Sequence, residues 1–217
     1  FGSDYPPSSY VIKCEEFGIP QARHRVILLG VRADLNITPQ PLKKTSEKNS
    51  MWEVIKDLPK IRSKTSKEQD STSNWEKILK SSDKKEWFNN SHADVKNKIK
   101  DVLKTFKTIG RTRGGKYKPY KGENEDLKNW FNDEQLLNTC NHESRGHIVK
   151  DLYRYLYAAC FAIVKNKSPA LNDFPLELLP NHKSAKEALT GTKFNDRFRV
   201  QLKHRPSTTI ASHISKD

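Results

Sequence analysis

The sequence predicts an α+β fold built from several helices and short strands. Three observations carry this. Runs rich in β-branched and aliphatic residues at Ser9–Lys13 and Val26–Val31, set around a Glu15–Pro20 turn, read as a strand pair. Apolar residues at helical spacing mark residues 94–109 and 150–165 as packed helices. Near the end, Phe198, Val200 and Leu202 alternate as they would along a strand.

The elements follow in order. Val26–Val31 is apolar enough to lie buried on both faces of a sheet. Two strands alone are marginal in water, so this pair is expected to pack on the rest of the chain or on a second copy. Between turn and strand stand Gln21, Arg23 and Arg25. On an extended segment residues two apart share a face. One amide and two guanidinium groups would then stand side by side, a donor set suited to an anionic or carbonyl-bearing ligand. A solvated start to a strand is the plainer reading of that spacing. Asn36–Pro41, with Pro39 and Pro41, reads as a linker dividing residues 1–40 from residues 41–217.

Ser50 is placed to cap a short helix over Met51–Leu58, which Pro59 ends. Residues 60–73 hold no aromatic and a single aliphatic residue, Ile61, and read as a mobile loop. Over Asp94–Ile109, Val95, Ile99, Val102, Leu103, Phe106 and Ile109 form one face and lysines the other. Leu127–Leu137 carries another apolar helical face, and Cys140–His147 a polar turn whose Cys140, His142, Glu143 and His147 match no standard zinc spacing. Lys150–Lys165 is the strongest helix. Its predicted apolar face is Leu152, Tyr155, Leu156, Ala159, Cys160, Ile163 and Val164, with Cys160 a small core residue and not a nucleophile. Ser168–Pro175 is a turn-rich connector, followed by a helical turn at Leu176–Leu179.

The 217 residues suffice for one sizeable domain, or one domain plus part of another. Net charge is +14, which favours a polyanionic partner over a merely Lys-rich soluble surface. The excess is uneven. Residues 1–40 carry 4 basic and 4 acidic side chains, residues 41–130 carry 23 and 13, and residues 131–217 carry 13 and 9. Residues 102–122 hold seven cations and no acid, and within them residues 110–121 carry three glycines with Tyr117 and Tyr120 among the cations. Such a segment suits DNA contact, with Arg111 and Arg113 as groove readers and Lys116 and Tyr117 beside them; a basic loop without a fixed target is the alternative. Cys14, Cys140 and Cys160 are too scattered for a disulfide framework, so a reducing compartment is expected. No apolar run approaches membrane-spanning length and the start is not signal-like, so no membrane partner is expected.

The wording of one stretch narrows all this. GIPQARHRVILLGVR, residues 18–32, closely resembles the Gln-x-Arg-x-Arg motif of DNA cytosine-5 methyltransferases. FNDRFRVQ and RPSTTIASHISKD, near the end, resemble the stretch closing the target recognition domain of bacterial members of the restriction-modification type. The resemblance implies that residues 1–40 are C-terminal strands of an α/β, Rossmann-like catalytic domain, and that residues 41–217 are the target recognition domain. It implies further that Arg25 contacts a flipped cytosine or its phosphate, that Arg23 supports the site and the DNA backbone, and that Gln21 orders the loop. Thr209, or Thr208 if the alignment slips by one, is implied to contact phosphate near the flipped nucleotide, with Arg205 beside it.

Other family motifs are not found. No Pro-Cys supplies the nucleophile, no Glu-Asn-Val protonates the base, and Phe1-Gly2-Ser3 does not fit the cofactor motif. The chain thus reads as a segment of a longer enzyme, predicted inactive alone. S-adenosylmethionine is the cofactor of the intact enzyme and is not bound by the segment; the catalytic cysteine and cofactor loop belong to the missing portion of the same protein. The implied partner is double-stranded DNA, bound on one continuous basic face, in a bacterial cytoplasm. A free-standing DNA- or RNA-binding module is the alternative.

Overall fold

The computed structural model describes residues 6–106, 112–119, 128–131, 133–181 and 198–209. In chain order its elements are β1 (Ile12–Lys13), β2 (Gln21–Ala22), β3 (His24–Arg25), α1 (Met51–Ile55), β4 (Lys64–Thr65), α2 (Thr72–Lys80), α3 (Glu86–Asn89) and α4 (Ala93–Thr105). β5 (Gly114–Pro119), α5 (Lys128–Phe131), β6 (Asn138–Glu143), β7 (Gly146–His147), α6 (Val149–Lys165) and β8 (Ser207–Thr208) complete it. Helices mixed with small sheets bear out the α+β expectation. The chain divides into two compact units, with boundaries between Lys56 and Asp57 and between Val200 and Gln201.

The first unit joins the chain up to Lys56 to the chain from Gln201 onward. β1 pairs antiparallel with β3, Ile12 opposite Arg25 and Lys13 opposite His24. Pairing stops there. The expected strand over Val26–Val31 is absent, and Val26, Ile27, Leu28 and Leu29 are 57–92% exposed. A run apolar on both sides needs neighbours on both sides, and no described strand pairs with it. Nor do Gln21, Arg23 and Arg25 lie on one extended segment. Arg23 N–H donates to Gln21 O at 2.9 Å, an i to i+2 turn that bends the chain between β2 and β3. α1 has the expected cap: Ser50 Oγ accepts from Glu53 N–H, and the Glu53 carboxylate accepts from Ser50 N–H at 2.7 Å. It ends at Ile55, three residues earlier than expected.

In the second unit α4 packs against α6. Trp87, Phe88, Val95, Ile99, Tyr157, Phe161, Phe174 and Leu178 form the core. Each such ring or branched side chain withdrawn from water contributes about 1.5–3 kcal/mol. The stripe that α6 buries differs from the predicted one. Tyr153, Tyr157 and Phe161 lie on one i, i+4 row and are buried, while Tyr155 and Ile163 stand 37% and 63% exposed. The largest rings take the core, and Tyr157 satisfies its hydroxyl by donating to Asp173 O at 2.6 Å. Burial pushes the Cys160 thiol up to about 11, in keeping with a core residue.

Three further expectations change. Residues 60–73 are not an unstructured loop: Arg62 and Thr65 are 7% and 1% exposed, and Thr72 already begins α2. Over Leu127–Leu137 the described helix is only Lys128–Phe131, and Leu136 and Leu137 are exposed. Phe198, Val200 and Leu202 form no strand; Phe198 sits at φ 57°, its ring against Tyr155, Phe174 and Arg154. Residues 107–109, 127 and 194–197 lie outside the described residues.

Candidate functional site

In the first unit, two segments nearly the length of the chain apart meet. β2 pairs in parallel with β8, Gln21 opposite Ser207 and Ala22 opposite Thr208. A parallel pair needs a long connection, and here it is the whole second unit. Pro20 O accepts from Ser207 N–H at 2.9 Å and from Ser207 Oγ at 3.3 Å. Thr209 Oγ donates to Ala22 O at 3.1 Å. Five predicted residues, Gln21, Arg23, Arg25, Thr208 and Thr209, thus lie on or beside two adjoining strand pairs. Arg205 belongs to the same unit, its backbone carbonyl accepting from Met51 N–H at 2.9 Å.

A strap from residues 44 to 52 braces both sides of this junction. Thr45 N–H donates to Glu16 O at 3.0 Å, Asn49 Nδ2 donates to Gly18 O at 2.7 Å, and Lys44 pairs with Glu16. Gly18 closes the turn at φ 78°, where a β-carbon would meet Thr45 at 3.3 Å. Lys203 lies over the Trp52 ring, 4.7 Å from its centroid. Within the motif, His24 Nε2 and a Glu15 carboxylate oxygen are 2.7 Å apart, tying β3 to the turn. Burial tends to raise the Glu15 carboxyl, but the hydrogen bond and charge of His24 outweigh it and hold the group below its ordinary range.

The second unit carries the basic segment, and its described stretch holds a strand where a basic loop was the alternative. Gly114–Pro119 pairs antiparallel with Asn138–Glu143, from Gly114 opposite Glu143 to Pro119 opposite Asn138. Lys116 and Tyr117 are exposed on this ribbon, the Lys116 ammonium 5.5 Å from the Tyr117 ring centroid. Arg113 precedes it and is pinned on both sides: its carbonyl accepts from Ser144 N–H at 2.8 Å, and the Thr112 carbonyl accepts from Arg62 N–H at 3.0 Å. Arg113 Nε lies 3.8 Å from the Asp70 carboxylate. That carboxylate also accepts from Arg62 Nη1 at 2.7 Å and from Thr65 N–H at 3.1 Å. The Arg62 hydrogen bond, followed by burial acting in the opposite sense, leaves Asp70 below the usual carboxylate range. Arg111 and Tyr120 lie outside the described residues. His142 bonds Pro59 O while His147 faces Tyr155, and among the described residues no cluster could hold a metal ion.

A model of the C-5 cytosine-specific DNA methylase family matches residues 2–173. The chain belongs to that family. No curated protein and no solved structure matches it. Members of this family act on DNA and generally draw the methyl group from S-adenosylmethionine. Among the described residues of this methylase chain two glycines stand at positive φ, Gly18 beside Thr45 and Gly114 against the backbone of His142. Among the described residues no helix is long and apolar enough to cross a membrane.

Sequence reasoning missed Arg62, Asp70, Asn49 and Gln201. Residues 60–73 look featureless by composition because their order comes from partners that composition does not name, the Asp70 carboxylate and the parallel pairing of Lys64–Thr65 with Gly146–His147. Ser71 does leave a trace, as the N-cap of α2 two residues before a polar–apolar helical pattern. Asn49 and Gln201 leave none, since an amide bonding a distant backbone has no periodicity.

Proposed function

We infer that this chain is the target-selecting part of a DNA cytosine-5 methyltransferase of the bacterial restriction-modification type. Residues 1–40 are the last strands of its catalytic domain, and residues 41–217 its recognition domain, with a compact body between Asp57 and Val200. The intact enzyme moves a methyl group from S-adenosylmethionine to C5 of a cytosine flipped out of the duplex in the bacterial cytoplasm. Arg25 contacts the flipped base or its phosphate, Arg23 supports the DNA backbone beside it, and Gln21 orders the turn. Arg205 and Thr209 take phosphates near the flipped nucleotide. On the ribbon side, Arg111 and Arg113 reach base edges, and Lys116 and Tyr117 hold the backbone. The nucleophilic cysteine and the cofactor loop belong to the rest of the protein, so this chain alone transfers no methyl group.

The observation that carries the reading is the β2–β8 pairing, which sets the Gln-x-Arg-x-Arg motif directly against the Ser207–Thr208 stretch that the family resemblance singles out at the other end. The test is a titration of duplex DNA at two salt concentrations, comparing Arg111→Ala/Arg113→Ala with Lys80→Ala. The double variant should lose preference for the selected sequence, by about 1–3 kcal/mol for each base-reading contact. Arg205→Ala should weaken binding to all sequences and flatten the salt dependence by about one counterion. An Arg111→Ala/Arg113→Ala variant that binds like Lys80→Ala would remove the ribbon from the reading. Calorimetry showing micromolar S-adenosylmethionine binding would overturn the division of labour.

A further inference from the structure

Two threonines stand in succession at β8, and their surroundings separate them. β8 is a two-residue strand, and among the described residues it pairs with β2 on one side only. Ser207 N–H points to Pro20 O in β2's approach, so along an extended chain the next N–H, that of Thr208, points the other way. It does not meet solvent there. Gln201 Oε1 accepts from Thr208 N–H at 2.8 Å, and Gln201 Nε2 donates to Thr208 Oγ at 3.0 Å. The Thr208 hydroxyl also lies 3.4 Å from Gln201 Oε1. One side-chain amide thereby occupies both polar groups of Thr208 and covers the free edge of β8 as a third strand would. Gln201 and Thr208 are both half-buried, whereas Thr209 is exposed and its hydroxyl donates to the Ala22 carbonyl at the end of β2.

We propose that Gln201 is a positioning residue: it holds Thr208 as a structural residue and thereby presents Thr209, not Thr208, to a DNA phosphate. The proposal rests on the phosphate contact put forward above. Its physical content is that a two-residue parallel strand pair is too weak to fix a hydroxyl by itself. Gln201 closes the turn from residue 201 to residue 208 with two hydrogen bonds, and the Thr209 hydroxyl rides on that turn, its single proton turning from the Ala22 carbonyl to the phosphate when DNA binds. Neither Gln201 nor Thr209 carries charge, so both act on affinity without changing the number of counterions released. Sequence alone favours Thr209 but lets the alignment slip by one onto Thr208; the amide gives a structural reason for Thr209.

The experiment uses the 217-residue chain and a 20-base-pair random-sequence duplex as probe, at two salt concentrations. Thr209→Ala should weaken binding about five-fold, the scale of one hydrogen bond, with an unchanged salt slope. Gln201→Met, similar in shape but unable to hold Thr208, should weaken it comparably. The double variant should bind no more weakly than Thr209→Ala, because a residue acting through another is not additive with it. Additive losses, or a Gln201→Met chain that binds like wild type while Thr209→Ala does not, overturn the proposal and leave the phosphate reading standing. If Thr209→Ala binds like wild type, the phosphate reading falls and the proposal with it. If Gln201→Met does not fold, Gln201→Glu decides: its carboxylate accepts from both Thr208 groups, so slow exchange of the Thr208 amide should persist, and fast exchange there overturns the assignment.

Discussion

Replacing Gly114 with alanine should open the basic ribbon. At φ 85° an L-residue costs about 1–2 kcal/mol before any contact is considered. A β-carbon there would lie 1.9 Å from His142 O and 3.0 Å from Glu143 Cα, both backbone atoms of the partner strand. No rotamer relieves that overlap, so β6 must retreat by more than an ångström. The retreat strains the Gly115–His142 pairing and the His142 bond to Pro59 O at 2.7 Å. With each lost hydrogen bond worth about 0.5–1.5 kcal/mol, local opening of the ribbon should become about 3 kcal/mol easier. Gly115→Ala is the internal control. Its nearest neighbour is the flexible end of Lys118 at 3.4 Å, and its effect should stay within about 0.5 kcal/mol. Amide exchange at Tyr117 and Lys118 reads the difference directly, while exchange in α6 reports the core separately. Unchanged protection at Tyr117 in Gly114→Ala would refute the reasoning, since no packing then opposes a β-carbon at that site.

Other substitutions probe different parts. Asp70→Asn leaves the 7% exposed Arg62 without an anion and should destabilise the second unit by about 3 kcal/mol in urea unfolding. Because the folded Asp70 pKa is depressed, its stabilisation is complete above the ordinary carboxylate value near pH 4 and is lost as pH falls through the lower folded value; wild type should therefore weaken below about pH 4 more steeply than the variant. Ser50→Ala removes half of the capping box of α1 and should cost about 1 kcal/mol, read as lost protection over Trp52–Ile55. Leu28, 92% exposed in the run of Val26–Leu29, should drive concentration-dependent association seen by light scattering, and Leu28→Lys should suppress it without lowering stability. A wild-type chain that stays monomeric at high concentration would count against that.

Much of this chain is determined by residues close in sequence. α4 and α6 follow from apolar spacing, α1 from the Ser50–Glu53 pair one turn apart, and the net charge from composition alone. The family follows from a contiguous stretch of wording and is borne out by the match over residues 2–173. All of these are interactions within a turn or two, or plain counts. What only tertiary structure decided involves partners far apart. Val26–Val31 has the composition of an inner strand yet pairs with nothing described, because strand formation depends on neighbours that composition does not name. The face that α6 buries was set by which rings fit beside Trp87 and Phe174, and not by the hydrophobic count around the helix. Residues 60–73 acquired order from Asp70, whose carboxylate draws in two arginines and a backbone N–H, and from the pairing of Lys64–Thr65 with Gly146–His147. The junction of Gln21–Ala22 with Ser207–Thr208 spans nearly the whole sequence. Short-range hydrogen bonding and periodicity are written along the chain, whereas a carboxylate's choice of cation or a strand's choice of neighbour is settled only when distant segments are brought within reach.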